Sequence, residues 1–129
     1  GILPRFMSHD PRSRTTHGEL ILVEDMAERK AAISERSAMF VALPGGFGTL
    51  DELTEMITWN QIGYQAKPVG LLNVGGFWDG FLAWVERAMA DGLIQPIHWA
   101  SLVFVDEDAD RLLARLLAFQ PDPNLAKFQ

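Results

Sequence analysis

Nine consecutive residues, Pro44-Gly45-Gly46-Phe47-Gly48-Thr49-Leu50-Asp51-Glu52, hold the densest chemistry in the chain. Three glycines can take positive φ and bring bare backbone N–H groups up to a ligand. The helix predicted to follow has unpaired N–H groups and about half a positive charge at its first turn. Together these features suit a phosphate, to which the Thr49 hydroxyl can add a donor. A Walker A loop is excluded because its lysine is missing, and a dinucleotide fingerprint because G-x-G-x-x-G is absent. A structural reading competes: Thr49 and Glu52 have capping-box spacing, and glycines are common in turns. Asp51 and Glu52 weigh against it. Carboxylates one turn from an anion weaken its binding by repulsion, so a carboxylate kept there has work to do on the ligand.

A second constellation, Asp25-Met26-Ala27-Glu28-Arg29-Lys30, also follows a strand and opens a helix. Cations near a helix N-terminus oppose the macrodipole, at a cost of about 0.3–1 kcal/mol. Arg29 and Lys30 are nonetheless placed to meet an anion; the alternative is a solvated pair answered by Glu28 and Asp25. If the two strands are neighbours, Arg29 and Glu52 each lie about one turn into adjacent helices and can face one ligand.

The elements that must position these residues alternate regularly. Leu20–Val23 reads as a buried strand, with Asp25 capping a helix over Met26–Arg36 and Glu28 as its capping-box partner. Met39–Leu43 is a second strand, and Thr49 starts a helix to about Ile62 with Leu50, Leu53, Met56, Ile57 and Asn60 along one side. Gly63 stops it. Val69–Val74 is a third strand, Asn73 to Gly76 either an αL turn or part of a base pocket, and Phe77 to about Asp91 a helix with Trp78, Phe81, Leu82, Val85 and Met89 as its stripe. Gly92 closes that helix. Leu102–Val105 and Asp108–Phe119 form the last pair, with Leu112, Leu113, Leu116 and Leu117 inward. Ser8–Gly18 reads as a loose polar stretch. Four strands each followed by a helix predict right-handed βαβ units: an α/β, Rossmann-like, doubly wound parallel sheet in one domain over residues 1–129. Ligands of such sheets bind at the carboxyl ends of the strands, where both constellations fall.

Composition agrees. The chain has 129 residues, 48% hydrophobic and 22% charged, which suits a globular domain. Its formal charge of −6 has the wrong sign for a broad nucleic-acid surface. It contains no Cys, so neither a disulfide framework nor thiolate chemistry is available, and no apolar run approaches a membrane span. A cytoplasmic protein is expected. His9, His17 and His98 are scattered without companions at ligand spacing, so no metal site is expected. Trp59, Trp78, Trp84 and Trp99 read as core or subunit contacts, with Trp84 off the main stripe of its helix and the candidate for a dimer contact.

Asp25-Met26 through Arg29-Lys30, the run from Pro44 to Glu52, Thr58-Trp59, Gln61, Gly63, Lys67-Pro68 and Leu72-Asn73 together resemble the Lonely Guy family, over about residues 1–119. Its members are phosphoribohydrolases that cleave nucleoside 5′-monophosphates, cytokinin riboside monophosphates among them, to free base and ribose 5-phosphate. Many carry a lysine decarboxylase label, but no lysine here has a recognisable pyridoxal-phosphate setting. The resemblance implies that Arg29 and Glu52 are the catalytic pair. Gly45, Gly46, Phe47, Gly48 and Thr49 would cradle the 5′-phosphate with Asp51 beside them, and Lys30 and Thr58 would be further substrate contacts. It implies a homodimer and no cofactor. The chemistry is coherent: breaking a ribosyl C–N bond passes through an oxocarbenium-like state, which a carboxylate stabilises while it orients or deprotonates water. Arg29 can hold ribose or phosphate, or stabilise the departing base. Thr58 has a plainer alternative, a hydrogen bond back to its own helix.

The family carries earlier βα units with a second glycine-rich segment, so Gly1-Ile2-Leu3-Pro4 is expected to be where a missing N-terminal part ends. The alternative function is a carrier that holds a nucleotide or molybdopterin-type cofactor on the same loop without cleaving it.

Overall fold

The computed structural model describes residues 1–10 and 17–122, so most of the expected loose stretch, residues 11–16, lies outside the described residues. The chain divides into two compact units, Gly1–Ser37 and Ala38–Gln129.

In the first unit β1 (Ile2–Pro4) and β2 (Ile21–Val23) pair in parallel, Ile2 opposite Ile21 and Pro4 opposite Val23. The strand β1 was not expected; three apolar residues at a chain end carry no readable alternation. Helix α1 (Met26–Arg36) begins where the cap predicts, with the Glu28 amide donating to Asp25 Oδ1 at 2.8 Å. The reciprocal bond reaches one residue further back, to the Glu24 amide, which donates to Glu28 Oε2 at 2.7 Å.

In the second unit β3 (Phe40–Ala42), β4 (Val69–Leu72) and β5 (Val103–Asp106) form a parallel sheet in that order. Helix α2 (Phe47–Gln61) joins β3 to β4, and α3 (Asp79–Ala90) and α4 (Pro96–Leu102) lie between β4 and β5. Helix α5 (Ala109–Leu117) follows β5, capped by Asp108, which accepts from the Arg111 amide. Successive strand residues face opposite sides. On one side Val69 and Leu71 join a core of Ala42, Leu53, Met56, Trp78 and Val103. On the other, Gly70 lies under Leu112 and Leu116 of α5, so the sheet is covered on both faces.

Several boundaries differ from expectation. Helix α2 starts two residues before Thr49. Helix α4 was not expected, because seven residues with two aromatic rings carry little helical period; it absorbs Leu102, and the strand starts at Val103. Strand β4 ends at Leu72 and a 3-10 turn at Val74–Gly76 intervenes, with Gly75 and Gly76 at positive φ, so α3 begins at Asp79 rather than Phe77. Leu113 and Leu117 are 47% and 66% exposed, not inward, since the sheet accepts only the Leu112–Leu116 row. Gly63 and Gly92 terminate their helices at positive φ as expected.

Candidate active site

The chain leaves β3 at Ala42 and enters α2 through an N-cap at Gly46, with φ −95° and ψ −152° and no side chain capping the end. The first helical bond runs from the Leu50 amide to Gly46 O at 3.1 Å. The amides of Phe47, Gly48 and Thr49 therefore precede the bonded part of the helix, the arrangement that receives an anion.

Two local expectations are corrected. Gly45, Gly46 and Gly48 do not adopt positive φ. Their value is space: a Cβ on Gly45 would collide with Thr49, while at Gly46 and Gly48 the surroundings within 4 Å are open. Thr49 and Glu52 do not form a capping box, because Thr49 lies inside the first turn rather than at its N-cap. Glu52 instead lies four residues after Gly48 and three after Thr49, so it neighbours each of them on the helix surface. Glu52 is half-buried and Asp51 exposed. Phe47 stands almost wholly exposed, at 93%.

Thr58 is separated from this turn by nine residues of helix, about 14 Å along its axis. Its hydroxyl donates to Thr54 O at 2.7 Å. It lines a different cavity, about 170 Å³, with Trp84, His98 and Trp99 among its walls. The structure thus brings Gly45 to Thr49, Asp51 and Glu52 together and leaves Thr58 apart.

In the first unit Arg29 and Lys30 are half-buried in the first turns of α1. The Arg29 Nε donates to Ile2 O at 3.0 Å, so the unexpected strand β1 fixes the position of this guanidinium. Parallel pairing brings the carboxyl ends of β1 and β2 to one edge, where Arg5 Nε meets Glu24 Oε1 at 2.7 Å.

At the carboxyl edge of β4 and β5 lies a further polar cluster, of which the sequence pointed to Asn73 but not to Asp106 and Arg111. Asn73 Oδ1 accepts from the Trp78 amide at 2.7 Å, and its Nδ2 donates to Asp79 Oδ1 at 2.8 Å. Asp106 accepts from Arg111 Nε and Nη2, at 2.8 and 2.6 Å. These bonds, then the Asp108 amide and the Arg111 charge, hold the Asp106 carboxyl well below the usual carboxylate range. The same pairing raises Arg111. An Asn at a strand end and an Asp five residues before an Arg are the only sequence signals of this cluster. Among the described residues no group of three or more His, Cys, Asp and Glu is arranged to hold a metal. No described helix is long and apolar enough to cross a membrane.

The family model described as "Possible lysine decarboxylase" matches residues 1–116. The chain is 44% identical over 122 residues to the cytokinin riboside 5′-monophosphate phosphoribohydrolase LOG5 of Arabidopsis thaliana, covering 94% of this chain and 53% of that protein. It is 46% identical over 121 residues to the probable cytokinin riboside 5′-monophosphate phosphoribohydrolase LOGL9 of Oryza sativa subsp. japonica, with the same coverage. It is also 46% identical over 121 residues to LOG3 of Arabidopsis thaliana, a protein of the same name, of which it covers 56%. The chain spans about half the length of the curated relatives it matches. With the glycine turn, the paired strands and the carboxylate-bearing helix all within the matched residues, the chain belongs to the Lonely Guy family, the one described as possible lysine decarboxylase.

Proposed function

We propose that this protein hydrolyses the N-glycosidic bond of adenine-type nucleoside 5′-monophosphates, releasing free base and ribose 5-phosphate. The observation that carries the reading is the uncapped start of α2 at Gly46, with Glu52 neighbouring Gly48 and Thr49 on the helix surface, in a chain 44–46% identical to proteins named phosphoribohydrolases. The amides of Phe47, Gly48 and Thr49 receive the 5′-phosphate, and Gly45 and Gly46 keep its approach clear of side chains. Glu52 acts at the anomeric carbon: it stabilises the developing oxocarbenium charge and takes a proton from the attacking water, whose oxygen forms the new bond to C1′ as the C–N bond breaks. The departing base leaves with the bonding pair and is protonated from solvent. Arg29 acts as the cationic partner, and Lys30 and Asp51 complete the substrate contacts. The protein works in the cytoplasm as a homodimer.

The test is incubation with AMP or isopentenyladenosine monophosphate, following free base and ribose 5-phosphate by chromatography. The protein releases both, and Glu52→Gln abolishes release while retaining binding. Tight binding without product from the unmutated protein would overturn hydrolysis and leave a carrier.

A further inference from the structure

Beside the glycine turn lies an open pocket of about 420 Å³, lined by Gly45, Gly46 and Phe47 on one side and by Phe77, Trp78 and Phe81 on the other. Its volume falls in the range of small-molecule sites. The far wall is aromatic: Phe77 meets Trp78 edge-on at 5.1 Å and 89°, and Trp78 meets Phe81 at 5.9 Å and 70°. Trp78 is buried, whereas Phe77 is 51% exposed. An exposed aromatic ring on a flexible loop would mean little, but this one is held. The Trp78 amide donates to Asn73 Oδ1 and the Phe77 amide to Val74 O at 3.2 Å, and Gly75 and Gly76 complete the turn at positive φ. A rigid, half-exposed ring at the mouth of a pocket is a prepaid contact surface, with little entropy left to lose on binding.

The two walls have complementary chemistry. One carries Gly45, Gly46 and Phe47, whose amide is the first of the three at the open start of α2, and the rest of the lining, Leu50 included, is apolar, so the fitting occupant has a phosphate beside Phe47 and a flat ring system against the aromatic wall. We propose that Phe77 is a specificity-determining residue that packs against the base of the nucleotide whose phosphate lies at Phe47–Thr49. This rests on the hydrolase reading above and adds a recognition residue to it. Stacking of a base on an aromatic ring tolerates any base, so Phe77 selects for the presence of a base over the bare sugar phosphate rather than for one base over another.

The experiment measures, by calorimetry on the Glu52→Gln protein, the Kd of AMP and of ribose 5-phosphate with and without Phe77→Ala, with light scattering on the same samples. Phe77→Ala raises the Kd of AMP about tenfold and that of ribose 5-phosphate less than twofold, and Phe77→Trp restores AMP binding. Equal changes for the two ligands, or no change for AMP, overturn the role of Phe77 while leaving the hydrolase reading intact. A change in particle mass without a selective loss of AMP likewise overturns it, and makes this face a contact between copies. Failure of the Glu52→Gln protein to bind either ligand defeats the underlying reading and this proposal with it.

Discussion

The side chain of Thr49 occupies the space over Gly45: a Cβ placed on Gly45 would lie 2.8 Å from Thr49 Cβ and nearer still to its hydroxyl. Gly45 is therefore glycine for want of room, not for positive φ. Because Thr49 Cβ is fixed to the first turn of α2, relief requires the turn itself to shift, and the amides proposed to hold phosphate shift with it.

Gly45→Ala is expected to destabilise the protein by about 1–3 kcal/mol in urea unfolding, the usual cost of overpacking. Thr49→Gly removes the colliding atoms, so a double-mutant cycle should return a favourable coupling between the two substitutions. Strict additivity would show that the collision is relieved elsewhere.

Asn60 is buried on α2 and closes a two-way bond with Lys67, its Nδ2 donating to Lys67 O at 2.7 Å and its Oδ1 accepting from the Lys67 amide at 3.1 Å. Asn60→Ala leaves a backbone donor and acceptor without these partners, at a cost of about 1–3 kcal/mol. Asn60→Asp retains the acceptor but not the donor, and its midpoint in denaturant should also fall below that of the unmutated protein.

Gly70 lets α5 close onto the sheet, since a Cβ there would lie 2.8 Å from Leu116 Cδ1 and 3.2 Å from both Leu112 methyls. These are ends of side chains that can turn aside, and replacing a strand glycine recovers some backbone entropy. Gly70→Ala is thus expected to cost about 1 kcal/mol, and Gly70→Val up to about 3 kcal/mol, by thermal or urea unfolding.

The Arg111 bonds keep Asp106 ionised in the folded protein well below its ordinary value of 3.8. Above that value the carboxylate is charged in both folded and unfolded chains, and the full stabilisation is present. As pH falls through it, the unfolded chain takes up the proton first, so the contribution is lost progressively on acidification. Asp106→Asn should accordingly lower the unfolding midpoint at pH 7 and narrow its difference from the unmutated protein between pH 4 and pH 2.

Much of this was legible in residue order because it is local. Asp25 and Asp108 cap their helices through side chains three residues from the amides they accept, and the apolar runs around Val69–Leu72 and Val103–Val105 have the length and composition of buried parallel strands. Gly63 and Gly92 stop their helices for a reason carried in one residue. The glycine turn and the carboxylates of α2 could be singled out the same way.

What only the tertiary structure decided involves partners distant in the chain or competing local patterns. Arg29 is held by the carbonyl of Ile2, 27 residues away, on a strand too short to signal itself. Leu113 and Leu117 share the character of Leu112 and Leu116 but not their burial, because a helix over a sheet has one inward row and residue type alone does not say which. The T-x-x-E spacing at Thr49 points to a cap, yet the chain starts the helix at Phe47, where Gly45 and Thr49 fit together without a side chain between them. Residue order therefore carried the family resemblance, the longer strands and helices and the candidate site residues, but not the short β1 and α4, which have too few residues to show a period. Tertiary packing settled which of those residues share a surface, since that depends on where separate elements meet.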